Sequence, residues 1–120
     1  MIKTTSYEIS KELEILGFEN LENANVRLDQ GKYKGFYLCY DLETILDALP
    51  TEIDLFDETG SLEFDKKSVG YHRHYSKNNT LNTDGFWMTR EKSESLADTA
   101  ARLLIKLIKD KIINIKSCQI

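Results

Sequence analysis

Apolar residues near the start of the chain recur at helical spacing: Tyr7, Ile9, Leu13 and Leu16 fall on one side of a helix, and Gly17 follows at once. This predicts a helix over 7–16, opened by Thr5-Ser6-Tyr7-Glu8, which has the spacing of a capping box. Its outer side carries Glu8, Glu12 and Glu14 against Lys11. Residues 25–28 and 33–40 then have strand-like content on either side of the polar Asp29-Gln30-Gly31-Lys32, which predicts a loose hairpin. Asp41 suits the N-cap of a short helix presenting Leu42, Ile45, Leu46 and Leu49, and Pro50 ends it.

Three strands are expected next, over 62–66, 69–75 and 85–90, with Thr59-Gly60 as a turn before the first. Leu62 and Phe64 alternate with Glu63 and Asp65, so one face is apolar and the other acidic. The second strand puts Val69, Tyr71, Arg73 and Tyr75 on one side. The Asn- and Thr-rich stretch 76–84 reads as a mobile loop. A closing helix is predicted over 95–113, with Ser95-x-x-Asp98 as its capping box and neither Gly nor Pro inside it. Its apolar residues cover more than half its circumference and leave a narrow polar stripe of Asp98, Arg102, Lys106 and Lys109. Such an arc implies burial on more than one side, against a sheet and a second helix or, near Leu103 and Ile105, against another subunit. The expected fold is α+β: a two-layer sandwich in which an antiparallel sheet of at least three strands carries helices on one face (an αβββα core), plus the N-terminal helix. A single domain over 1–120 is expected, with a loose tail at 115–120.

Composition narrows the functional classes. With 41% apolar and 30% charged residues, the chain can bury one core without metal or disulfide. Cys39 and Cys118 are far apart and no export signal opens the chain, so two free thiols in a reducing cytosol are expected. The apolar stretch 103–108 is interrupted by Lys106 and is far short of a membrane span. The net charge of −4 hides an asymmetry: residues 1–65 carry 5 Lys/Arg against 15 Asp/Glu, a balance of −10, and residues 66–120 carry 11 against 5, a balance of +6. An acidic surface favours basic protein partners over nucleic acid, although ordinary solvated surface is the plainest account.

Candidate chemistry is sparse. His72-x-His74 would put two imidazoles on one side of a strand, but no third ligand lies nearby in sequence, and no metal or cofactor is assigned. Cys39 lacks a glycine turn that could form an oxyanion hole, and reads as a core residue. Asp54, Asp57, Glu58, Glu63 and Asp65 have neither acid/base nor calcium-loop spacing and read as an acidic surface. No catalytic residue is assigned and no enzyme is expected. Arg73, Tyr75, Lys77, Trp87 and Arg90 mix cations with aromatics within 66–92, which makes them the candidate partner-binding residues. Helix, three strands, helix is also the topology of double-stranded-RNA-binding domains. Those modules, however, begin the last helix with a lysine cluster, where this chain reads Glu91-Lys92-Ser93-Glu94-Ser95. Direct RNA or DNA binding is therefore the second reading.

Four segments taken in order carry a resemblance: 6–13 (SYEISKEL) with Leu16-Gly17-Phe18, 41–50 (DLETILDALP), Val69-Gly70-Tyr71, and 95–104 (SLADTAARLL). Together they resemble a family of small uncharacterised phage and prophage proteins of Bacteroidetes, mobile-element accessory proteins without assigned catalytic residues. The loop 76–84 and the Lys-rich end of the last helix depart from that pattern. The resemblance implies expression inside a bacterial cell. It also implies a protein-binding role against a host protein, such as inhibition of a defence system like a CRISPR effector, whose nucleic-acid groove would attract an acidic surface. A homodimer stays open.

Overall fold

The computed structural model of the chain describes residues 4–29, 35–55, 58–73 and 86–114, arranged as three helices and two antiparallel sheets of two and four strands. It is the expected α+β architecture.

Helix α1 (Tyr7–Ile15) is capped by Ser6, whose hydroxyl accepts from the Ile9 N–H. Thr5 does not cap it, contrary to the spacing of the predicted box. A bridge from Thr4 to Asp41 and the Thr5 N–H bond to the Tyr40 carbonyl draw this segment inward. The Thr5 hydroxyl is buried, 2.7 Å from that of Ser10, and accepts from the Tyr40 N–H at 3.1 Å. The helix stops as predicted. Gly17 takes φ +91°, its N–H bonds to the Glu14 carbonyl and that of Phe18 to the Leu13 carbonyl, the paired pattern of a Schellman end. Leu13 and Phe18 then meet in the core.

The predicted hairpin forms from β1 (Asn25–Asp29) and β2 (Gly35–Cys39), and β2 lies against α1 with Tyr7 and Tyr37 edge to face at 5.2 Å. Asp41 caps α2 (Leu42–Ala48) as expected, accepting from the Thr44 N–H at 2.8 Å.

The larger sheet is a meander of β3 (Glu52–Leu55), β4 (Glu58–Phe64), β5 (Ser68–Arg73) and β6 (Phe86–Thr89). Three expectations change. Strand β3 had not been predicted, and Thr59-Gly60 lies inside β4: pairing with Ile53 on one side and Arg73 on the other holds Gly60 extended, and this long-range ladder overrides its local turn character. Strand β4 also ends at Phe64, not at Lys66. The Asp65 carboxylate accepts from the Lys67 and Ser68 N–H groups at 2.7 and 2.9 Å, closing a turn.

Helix α3 (Leu96–Lys109) is capped by Ser95, which accepts from the Asp98 N–H at 3.1 Å. It ends four residues before the predicted Ile113 because Lys111 turns left-handed at φ +58°. The Lys111 and Ile112 N–H groups return to the Ile108 and Leu107 carbonyls, the same end as α1 without a glycine. The wide apolar arc is covered within the chain: α3 packs on β5 and β6, on α2 and on α1, and Ala100, Ala101, Leu103, Leu104 and Leu107 are fully buried. Each buried leucine contributes about 2 kcal/mol. Ile105 is buried as well, so the flanks need no second subunit. The polar stripe also changes. Asp98 is buried and accepts from the Ser6 N–H at 2.7 Å, and Arg102 is half-buried against Glu94. Lys106 and Lys109 stay exposed, paired with Asp110 and Glu12.

Candidate interaction surfaces

Cross-strand partners share a face of a sheet, so the register sorts side chains directly. In the hairpin, Val26 pairs with Leu38 and Leu28 with Phe36, which places four apolar side chains on one face. Tyr37 and Cys39 lie on the other, toward α1. Val26 is 64%, Leu28 49% and Phe36 73% exposed. Three large apolar residues this open, side by side, form a patch on the order of a few hundred Å².

Leu38, at the inner edge of that face, also lines a cavity of about 350 Å³ together with Phe18, Tyr40, Glu14 and Glu19. Burial, followed by the Glu19 and Glu14 carboxylates, pushes the Tyr40 phenol above its ordinary value, although a bond from the Asn20 N–H opposes this. Two carboxylates thus border the cavity beside the phenol. Sequence reasoning missed this surface because both hairpin faces carry apolar residues, so alternation did not tell which face turns inward.

The larger sheet sends Ile53, Leu62, Val69, Tyr71 and Met88 toward the helices. Its other face carries Glu52, Asp54, Thr59, Ser61, Glu63, His72 and Trp87. Here the structure unites residues that the sequence had divided between two surfaces. Trp87 and Glu63 flank Gly70 in one row, and Glu63, Phe64, Asp65 and Trp87 line a shallow cleft. His72 lies 4.0 Å from Glu63.

The remaining candidates have distinct placements. Asp65 is committed to its turn, and the Lys67 and Ser68 N–H bonds hold its carboxyl below the ordinary aspartate value. Arg90 donates from Nε to the Glu94 carbonyl at 2.6 Å and from Nη1 to the Lys66 carbonyl at 3.3 Å, bracing the β4–β5 turn against the start of α3. With Lys66, Lys67 and Lys92 it puts four exposed basic residues at one end of the sheet. Arg73 pairs with Gly60 through its backbone, and Glu58 with Leu55. The side chains of Arg73 and Glu58 lie outside the described part of the structure, as do Asp57, His74, Tyr75, Lys77, the loop 76–84, Cys118 and the tail 115–120.

Cys39 is buried, with its thiol 3.5 Å from the Asn25 carbonyl. Among the described residues no group of three or more His, Cys, Asp or Glu side chains could hold a metal ion, and no helix is long and apolar enough to cross a membrane. No family model, curated protein or solved structure matches the chain.

Proposed function

We propose that the chain is a non-enzymatic protein-binding module whose contact surface is the apolar face of the β1–β2 hairpin. The observation that carries this reading is the exposure of Val26, Leu28 and Phe36 on a ladder that the rest of the described fold leaves uncovered. An apolar patch on a folded chain costs solubility and serves partner binding. The resemblance to phage and prophage proteins supports a bacterial host protein as target, in the cytoplasm, with a defence complex such as a CRISPR effector as one instance. The acidic first half of the sequence suits a target that itself binds nucleic acid.

Affinity capture from a bacterial lysate, comparing the wild-type chain with a Val26→Ser/Phe36→Ser variant, tests the reading. Retention of a defined protein by the wild type alone is expected. Capture by both to the same extent, or by neither at low salt, refutes it. The exposed Lys66, Lys67, Arg90 and Lys92 favour a second reading, RNA or DNA binding at that end of the sheet. A mobility shift at low salt that disappears on changing Lys66 and Lys67 to Glu would establish it in place of the first.

A further inference from the structure

The hairpin patch adjoins a cavity of the opposite character to a simple apolar groove, and this specifies the chemistry of what covers it. Leu38 belongs to both: it pairs with Val26 in the patch and forms part of the cavity wall with Phe18. Glu14 comes from the last turn of α1 and Glu19 from the segment after Gly17, so the Schellman end of the helix sets the two carboxylates around one opening. Lys11 reaches Glu14 at 3.3 Å, but that pair sits on the exposed helix surface, with the Glu14 side chain 64% open. An exposed pair of this kind neutralises little and is readily exchanged.

Among the described residues the cavity is lined by no cation of its own. The same two carboxylates add to the effect of burial in raising the Tyr40 phenol. A long aliphatic side chain ending in a positive charge matches this arrangement. Its stem would cover Phe18 and Leu38, and its head would reach the two carboxylates.

Resting on the protein-binding reading above, we infer that the occupant is a segment of a partner protein that presents apolar and basic side chains together. Its apolar residues lie on Val26, Leu28 and Phe36, and one Lys or Arg enters the cavity between Glu14 and Glu19. The residue spacing within β1 and within β2 suits apolar side chains at alternate positions of the partner segment. A second copy of this chain is the poorer occupant. The same hairpin face of a second copy presents Val26, Leu28, Phe36 and Leu38, with no cation among them to meet Glu14 and Glu19.

The test uses the full-length chain, labelled with nitrogen-15, and three synthetic ten-residue peptides. The first carries Leu at alternate positions with Lys between them, the second replaces each Lys by Glu, and the third replaces each Leu by Ser. The first peptide should shift the backbone resonances of residues 14–19, 25–28 and 36–39, and the other two should leave them in place. Glu14→Gln/Glu19→Gln, which removes charge while keeping shape, should weaken the first peptide about fivefold with an unchanged thermal midpoint.

Equal binding of the Glu peptide, binding unaffected by the double variant, or shifts confined to the outer face of the larger sheet would overturn the inference. So would concentration-dependent self-association abolished by Phe36→Ser, which would install a second copy as the occupant. The two proposals fail separately. Phe36-dependent lysate capture combined with no preference for the Lys peptide leaves the binding module standing and removes this partner chemistry.

Discussion

Glu94 and Arg102 join the loop before α3 to the helix itself, and their removal has a calculable cost. One Glu94 oxygen accepts from Arg102 Nη2 at 2.7 Å, the Thr99 hydroxyl at 2.8 Å and the Glu91 N–H at 3.0 Å, and the other accepts from Arg102 Nε at 2.8 Å. Arg102 Nη2 also donates to the Thr89 carbonyl at 2.8 Å, which ties α3 to the end of β6. The side chains are 27% exposed for Arg102 and 13% for Glu94. Breaking a fully buried pair costs about 3–5 kcal/mol and an exposed one less than about 1. This pair lies between, so Glu94→Ala should cost about 2 kcal/mol, or roughly 8 °C in Tm for a domain of this size. Urea unfolding of Glu94→Ala, Arg102→Ala and the double variant should show a coupling of about 1.5 kcal/mol at unchanged m value.

The pH dependence follows from the same contacts. Burial raises the Glu94 carboxyl, but the Arg102, Glu91 and Thr99 bonds outweigh it and hold it below the ordinary glutamate value. A lowered folded-state value contributes stability above the unfolded value and loses it as pH falls through the folded one. The advantage of wild type over Glu94→Gln should therefore shrink on acidification across that window. A coupling below about 0.5 kcal/mol, or an advantage that grows toward acid, would refute the network.

Three further outcomes are expected. Asp98 has the opposite sign to Glu94: burial raises its carboxyl despite the Ser6 bonds, so ionisation opposes folding and the penalty is relieved as pH falls through the raised value. Asp98→Asn, which keeps an acceptor for the Ser6 N–H, should match or exceed wild-type stability at pH 7, and Asp98→Ala should lose about 1 kcal/mol in the same urea assay. Gly17→Ala should cost about 1 kcal/mol in thermal unfolding, from the +91° φ alone, because nothing lies within 4 Å of the added methyl. Tyr71→Phe removes the bond from its hydroxyl to the Pro50 carbonyl at 2.7 Å, which joins β5 to the end of α2, and should cost about 1 kcal/mol by denaturant midpoint.

Features set by neighbouring residues were legible before the fold was known. Asp41 and Ser95 are caps followed by helical periodicity, and Gly17 directly follows the last inward leucine. The end of α3 was not legible, because Lys111 takes the left-handed position that the sequence normally marks with glycine. Strand β3 escaped notice since Ile53 is the single buried side chain among its first three residues, too little to show alternation. The same limit applies to the surfaces. Trp87 and Glu63 meet only through the ladder across Gly70, and Arg90 reaches the Lys66 carbonyl 24 residues away, a contact that no spacing rule relates. Glu14 and Glu19 come together around the Schellman turn, and the hairpin register decides that Phe36 faces out while Tyr37 faces α1.

The hairpin face can be interrogated directly by placing a photo-crosslinking amino acid at position 36 or, on the outer face of the larger sheet, at position 61, and irradiating bacterial cells that express each form. Adducts to a defined protein from position 36, suppressed by Val26→Ser, are the predicted result. Adducts from position 61 alone, or equally from both positions, would contradict the assignment of the hairpin as the binding surface.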